Sequence, residues 1–302
     1  MKQGLIFDIK RYAINDGPGV RATIFFKGCP LHCRWCHNPE SISPQPQKLF
    51  SAGKCLGCGE CGKVCPVSAC SLGAEGIVTD PALCTLCGRC AALCPTLATQ
   101  LSGRAYSVAE LIAILEKERQ LFASSGGGVT CSGGEPLQQA SFLREFLRVC
   151  GRHHIHRAVD TSGLASWEIL EGIAAHTDLF LYDLKLIDGE RHRQYTGVDN
   201  DLILANLQRL AVKGATVQIR LPLIGGVNLD DANIEATARC VAALAGEKKI
   251  VNLLPFHDVA RGKDQKLGQE RNLIVMYAPT PADIEGVIAI FAAHGLTTTL
   301  GG

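Results

Sequence analysis

From residue 105 to the C-terminus, short continuous apolar runs alternate with stretches in which apolar residues recur every three or four positions. The first rhythm is that of buried parallel strands, the second that of helices with one apolar face. Val108, Leu111, Ile112 and Leu115 follow helical spacing behind Ser107, a residue suited to capping a helix. The pattern predicts helices over 107–121, 137–149, 167–175, 201–212, 231–244 and 281–294. Strands are predicted over 127–131, 157–160, 178–183, 216–221 and 249–254, with one earlier apolar run, 21–26, as the first strand. Strands separated by helices of this length pair in parallel through right-handed crossovers.

The helix that should follow strand 21–26 begins only at 107, and the chain between them is rich in cysteine. Residues 48–100 are therefore read as a small α+β domain inserted into the first strand–helix connection. Residues 1–47 and 101–302 form the main α/β body. Its six strand–helix units suit a partial (β/α)6 barrel, and a doubly wound open sheet is the alternative.

With 47% hydrophobic residues in 302, the chain can bury a sizeable core. Thirty Lys and Arg against 29 Asp and Glu leave a formal charge of +1. That balance argues against nucleic acid or a membrane surface as partner. No apolar run approaches the ~18–20 residues that span a bilayer. Asp8 comes too early for a secretory leader, so a cytoplasmic protein is expected.

Fifteen cysteines change the picture, because a reducing cytosol favours metal or redox chemistry over disulfides. Cys55-x2-Cys58-x2-Cys61-x3-Cys65-Pro66 is followed by the same spacing at Cys84, Cys87, Cys90 and Cys94-Pro95. This is the run of bacterial two-cluster ferredoxins, in which the fourth cysteine reaches across to the other cluster. The implied sets are Cys55, Cys58, Cys61 and Cys94 for one [4Fe–4S] cluster, and Cys65, Cys84, Cys87 and Cys90 for the second. Two structural zinc sites would use the same eight thiols, but the prolines favour iron–sulfur. Cys70, Cys131, Cys150 and Cys240 fit neither run and are expected to be buried or half-buried free thiols.

Cys29-x3-Cys33-x2-Cys36 has no fourth cysteine nearby. A cubane held by three thiolates leaves one iron open to bind and polarise a small molecule. A zinc site completed by His32 or His37 is the competing reading. After the strand 127–131 come Gly133-Gly134-Glu135, where glycines permit close backbone approach and a carboxylate can accept from an ammonium.

Cys29-x3-Cys33-x-Trp35-Cys36 resembles the signature of radical S-adenosylmethionine (radical SAM) enzymes. Asp16-Gly17-Pro18-Gly19-Val20-Arg21, Gly28-Cys29-Pro30-Leu31 and Trp35-Cys36-His37-Asn38-Pro39-Glu40 resemble the activating enzymes of glycyl radical enzymes. The resemblance covers essentially the whole chain. It implies a radical SAM barrel with a bacterial-ferredoxin-like insert, three [4Fe–4S] clusters and SAM. Cys29, Cys33 and Cys36 would hold the catalytic cluster, with Trp35, His37 and Asn38 beside the cofactor. Gly133, Gly134 and Glu135 would hold the methionyl amino group of SAM. Asp160, Thr161 and Asp183 would bind a monovalent cation beside its carboxylate, with Lys185, Arg220 and His257 as further SAM contacts. The chain departs from its relatives at 223–228 and 258–263.

The implied reaction is reductive cleavage of SAM to a 5′-deoxyadenosyl radical, which takes hydrogen from a backbone glycine of a partner glycyl radical enzyme. A ferredoxin or flavodoxin would supply electrons, and a monomer is expected. The rival readings are a radical SAM enzyme acting on a small molecule and an electron-transfer protein of ferredoxin type.

Overall fold

The computed structural model describes residues 2–247, 249–257, 261–268 and 275–301. Strands run in chain order as β1 (Gln3–Ala13), β2 (Arg21–Phe26), β3 (Gln47–Phe50), β4 (Cys70–Gly73), β5 (Gly76–Thr79), β6 (Thr99–Ser102) and β7 (Arg104–Ser107). They continue as β8 (Gly128–Gly133), β9 (His156–Thr161), β10 (Leu179–Asp183), β11 (Val217–Leu223), β12 (Ile250–Pro255) and β13 (Thr297–Leu300). A nine-stranded sheet has the order β13-β12-β11-β10-β9-β8-β2-β1-β7. From β2 to β13 every neighbour is parallel, while β1 and β7 join antiparallel at one edge. The parallel strands lie side by side in sequence order. A doubly wound sheet must reverse that order, so this alternative is excluded, and the order is the one expected of a partial barrel.

The strand cores agree with the apolar runs. Ala22, Ile24, Val129, Val159, Ile219 and Val251 are fully buried, packed under helix residues such as Leu143, Leu147, Leu207 and Leu210. The helix predicted over 107–121 is broken into Val108–Leu115, a 3-10 turn Glu116–Glu118 and Arg119–Ser125. The break turns Glu118 inward, where its buried carboxylate meets Arg11 on β1. Ser107 caps as expected and forms a full capping box with Glu110. Three elements fall outside the prediction: β1, although Leu5, Ile6, Phe7 and Ile9 make an apolar run, β13, and the helix Gly189–Thr196, whose buried residues are His192 and Thr196.

Residues 27–107 all lie between β2 and the helix that returns to β8. Here β3 pairs antiparallel with β6, matching Gln47 to Ser102 and Phe50 to Thr99. Beyond this stem lie the β4–β5 hairpin, the short helices Glu60–Lys63 and Arg89–Leu93, and a small core of Cys61, Cys70 and Ile77. Among the described residues no helix is long and apolar enough to cross a membrane. Cys70, Cys131 and Cys150 are buried and Cys240 is half-buried, as free thiols.

Arg21, at the start of β2, is wholly buried yet fully engaged. It donates to Thr130 Oγ1 at 2.6 Å, to the Val129 carbonyl at 2.5 Å and to the Pro18 carbonyl at 3.0 Å. Burial lowers its pKa to about 10, so it stays charged at neutral pH and ties the 16–19 loop to β8. Arg21→Met is expected to leave these acceptors unpaired and cost on the order of 3 kcal/mol, read as a lower denaturation midpoint at unchanged slope. An unmoved midpoint would show that the loop is held by other contacts.

Candidate functional site

The site begins where β2 ends. The Gly28 amide donates to Ser41 O at 2.7 Å and that of Cys29 to Ile42 O at 3.0 Å, so the chain from 28 to 42 closes into one loop. Within it the Cys36 amide donates to Cys33 O, and the Asn38 amide reaches Cys36 Sγ at 3.4 Å. Trp35 is buried beside Leu186, Ile224, Val227 and Phe256, and anchors the loop to the body. Lys27 is buried beneath it, donating to the Glu40 carbonyl and, at 2.8 Å, to Gln47 Oε1 at the foot of β3. Burial lowers its pKa to about 8, against the pull of Glu40.

Gly133 and Gly134 press the end of β8 against this loop. Gly133 has φ +109°, a conformation that glycine adopts freely. A Cβ on Gly134 would lie 2.4 Å from Gly28 O and 3.0 Å from Ser41 O. The Gly134 amide donates to Phe26 O and that of Glu135 to Gly28 O, each at 2.8 Å. The Glu135 carboxylate is buried and already accepts four hydrogen bonds. Leu137 N (3.2 Å) and Thr161 Oγ1 (2.6 Å) meet one oxygen; Ser162 N (2.9 Å) and Ser162 Oγ (2.6 Å) meet the other. Burial raises its pKa and the four donors oppose the rise. Glu135 thus clamps the ends of β8 and β9 together.

The next three strands end in opposed charges. Asp160 accepts from Ser132 Oγ at 2.6 Å through Oδ2, while its Oδ1 is buried without a partner. Arg220 places Nη1 3.4 Å from Asp160 and 3.9 Å from Asp16, and its Nε and Nη1 make no hydrogen bond. Lys185 donates to Asp183 Oδ2 at 2.6 Å in a largely buried pair. Burial pushes Asp160 up to about 6; Arg220 opposes this and Asp183 adds to it. Lys185 is held above its ordinary value because Asp183 and Cys33 outweigh the cost of burial.

These groups line one cavity of about 690 Å³, within the range of sites for drug-sized ligands. Its walls include Cys29, Cys33, Cys36, Trp35, His37 and Asn38 from the loop, and Gly133, Gly134 and Glu135 from β8. Asp160, Thr161, Asp183, Lys185, Arg220 and the exposed His257 complete it. Residues 258–260, in the second departure from the family pattern, lie outside the described residues. One unpaired acceptor and two unpaired donors in the same wall suit a zwitterion, ammonium toward Asp160 and carboxylate toward Arg220. Burial pushes the Cys33 thiol up to about 12, against the pull of Lys185.

Sequence reasoning missed Asp16, Ser132 and Ser162 as members of this network. It also missed Lys263, which donates to Asn38 Oδ1 at 2.7 Å and pairs with Glu40 at 2.9 Å. The serines directly follow strand ends, a position from which they could have been suspected; Lys263 gave no signal. A second cavity of about 480 Å³, walled by His156, Asp178, Gln218 and Asn252, shares Arg220, Leu300 and Gly301 with the first.

Farther out, Cys65, Cys84, Cys87 and Cys90 surround one small hollow together with Lys48 and Cys70. Cys55 and Cys61 pack about the small core, Cys94 is half-buried, and Cys58 and Cys87 are exposed. Among the described residues no three His, Cys, Asp or Glu side chains converge on a point that would ligate a single metal ion.

Residues 23–238 match the Radical SAM superfamily. The trans-4-hydroxy-L-proline dehydratase activating enzyme of Clostridioides difficile is 40% identical over 299 residues, 99% of each chain. The choline trimethylamine-lyase activating enzyme of Oleidesulfovibrio alaskensis is 40% identical, covering 95% of this chain and 94% of its own. Among solved structures, a domain of a pyruvate-formate lyase-activating enzyme from Bacteroides vulgatus superposes with a TM-score of 0.51 at 39% identity, over 58% of this chain and 99% of that one.

Gly134→Ala is expected to push the 28–42 loop off the end of β8, because the new methyl meets backbone that cannot swing away. Amide hydrogen exchange at Gly28, Cys29 and Glu135 should accelerate roughly tenfold or more. Gly172→Ala, whose nearest neighbour is the flexible Arg144 at 3.8 Å, serves as the control. Equal protection in both variants would mean that the close approach does not order the loop.

Proposed function

The chain belongs to the radical SAM superfamily and, within it, to the activating enzymes of glycyl radical enzymes; from that premise we propose how its residues carry the reaction. Cys29, Cys33 and Cys36 would hold a [4Fe–4S] cluster, which when bound would supply the electron for reductive cleavage of SAM and so the radical that takes hydrogen from a backbone glycine of a partner enzyme. The observation that carries the assignment of roles is the single cavity in which three loop cysteines face the unpartnered atoms of Asp160 and Arg220.

In this reading Asp160 receives the methionyl ammonium and Arg220 and Lys185 the carboxylate, as charge-assisted hydrogen bonds. Glu135 has no free lone pair, so its task is to fix Thr161 and Ser162 at the wall while the backbone of Gly133 and Gly134 approaches the ligand. The bare Oδ1 of Asp160 beside Asp183 also suits a monovalent cation. Asn38, His37, Trp35 and His257 line the remainder of the cavity and serve the rest of SAM. The adjoining cavity beyond Arg220 offers room for a glycine-bearing loop of the partner.

We read 48–100 as a ferredoxin-like domain with two further clusters, on the sets Cys55, Cys58, Cys61, Cys94 and Cys65, Cys84, Cys87, Cys90. The shared hollow of the second set supports this. Each thiolate of a cubane binds a different iron, so its sulfurs need no common point. A ferredoxin or flavodoxin is the proposed electron source. The relatives' partners include a hydroxyproline dehydratase and a choline lyase, so the partner here is sought among such glycyl radical enzymes.

With anaerobically loaded protein, SAM, dithionite and a candidate partner, 5′-deoxyadenosine and a glycyl radical signal on the partner are expected, with about 12 irons per chain. Cys29→Ala should abolish both products. A radical or hydrogen loss traced instead to a small molecule would overturn the activase reading, and about 4 irons would overturn that of the insert.

SAM binding should depend on pH. Asp160 must be ionised to take an ammonium, so affinity is expected to fall about tenfold per pH unit below about 6 and to level off above it. The same upward shift opposes folding: the folded state holds the proton more tightly, so its stability falls as pH rises from the ordinary carboxylate range to about 6. Asp160→Asn should bind SAM weakly at every pH. Equilibrium binding across this range checks the sign, and a flat wild-type profile would remove Asp160 from the ammonium site.

A further inference from the structure

Lys48 is a cation without a counter-charge. From β3 its half-buried ammonium donates to Thr79 Oγ1 at 2.6 Å and lies 3.2 Å from Cys70 Sγ, and no carboxylate among the described residues pairs with it. It lines the same hollow as Cys65, Cys84, Cys87 and Cys90. An anion in that hollow would face its ammonium directly. A cubane held by four thiolates is such an anion, and its negative charge grows by one on reduction.

The internal repeat shows that this charge has no counterpart on the other side, although its field also reaches Cys61 of the Cys55 set. Shifting the chain by 29 residues carries Cys55, Cys58, Cys61 and Cys65 onto Cys84, Cys87, Cys90 and Cys94. The same shift carries Lys48 onto Ile77, which is buried in the small core, and Cys70 onto Thr99, whose hydroxyl lies 4.0 Å from Cys61 Sγ. Two sites alike in their thiols therefore differ by one ammonium.

We propose that Lys48 separates the two insert clusters in reduction potential, raising that of the cluster on Cys65, Cys84, Cys87 and Cys90 above its repeat-mate. This rests on the two-cluster reading of the insert. Reduction adds one electron, taken from a low-potential one-electron donor, and no proton. A fixed positive charge close by favours the more negative, reduced state. The cluster beside Lys48 thus becomes the place where an electron rests, and the Cys55 set the harder one to fill.

The test is a potentiometric titration of the full chain, followed by electron paramagnetic resonance. A Cys29→Ala, Cys33→Ala, Cys36→Ala background leaves the insert signals alone. Two reduction waves are expected. Lys48→Gln, which can still reach Thr79, should make reduction in the upper wave about tenfold less favourable, about 59 mV for one electron, with a smaller shift of the lower wave. Lys48→Arg should keep the upper wave near its original place. Coincident waves in the starting protein, or an upper wave unmoved in the Gln variant, would overturn the proposal. Loss of about four irons in the Gln variant with retention in the Arg variant would support it as charge compensation; loss in both would overturn it in favour of a role in packing. A background protein that binds no iron would instead overturn the two-cluster reading, a distinct failure.

Discussion

Everything at the site depends on two backbones touching. The end of β8 lies against the loop that leaves β2 so closely that a single methyl at Gly134 has no room, and amides at 134 and 135 bind carbonyls at 26 and 28. The contact fixes the height of the cysteine loop above the sheet. It also fixes where Glu135 enters, and through its four hydrogen bonds the ends of β8 and β9 move as one piece. Electrostatic preorganisation of this kind has value only when the groups cannot relax. Here the rigidity comes from the main chain, and the side chains inherit it.

The charged wall shows what such rigidity costs. Asp160, Asp183 and Asp16 face Arg220 and Lys185 in a buried space, yet several of their atoms have no partner. A buried polar atom without a hydrogen bond costs on the order of 1–3 kcal/mol, and a fold built for stability alone would not keep three in one wall. Their combined stereochemistry, acceptor on one side and donors on the other, is that of an amino acid's own two charges. Arg21, wholly buried and fully bonded at the start of β2, is the contrast: it serves structure and leaves nothing unpaired.

Much of this was legible in the chain. The strand over 21–26 and the helix over 201–212 fall where periodicity puts them, because each buries a mainly apolar face, interrupted in the helix by Asn206. The cysteine spacings and the glycine pair named the loop and the strand end that meet. What failed was of two kinds. Elements held by partners rather than by their own rhythm, such as β13 and the polar helix Gly189–Thr196, left no pattern. Contacts across long separations were also silent: Glu118 breaking a helix to reach Arg11, Ser162 completing Glu135, Lys263 holding Asn38 from 225 residues away. The role of Glu135 is the instructive case. Its presence was evident from the residues beside it, and its saturation was not.

The β3–β6 stem has a consequence for ancestry. The chain leaves the main body at Gln47 and re-enters at Ser102, two residues that face each other across one ladder. To the large sheet, whatever lies beyond that ladder is a single hairpin tip of arbitrary length, and closing a longer tip costs only about 0.6 kcal/mol for each doubling. A gene could therefore gain, lose or exchange the cysteine-rich module at this one junction without shifting the register of any parallel strand. The parallel sheet and the cysteine-rich segment would then have separate histories, joined at a seam four residues long.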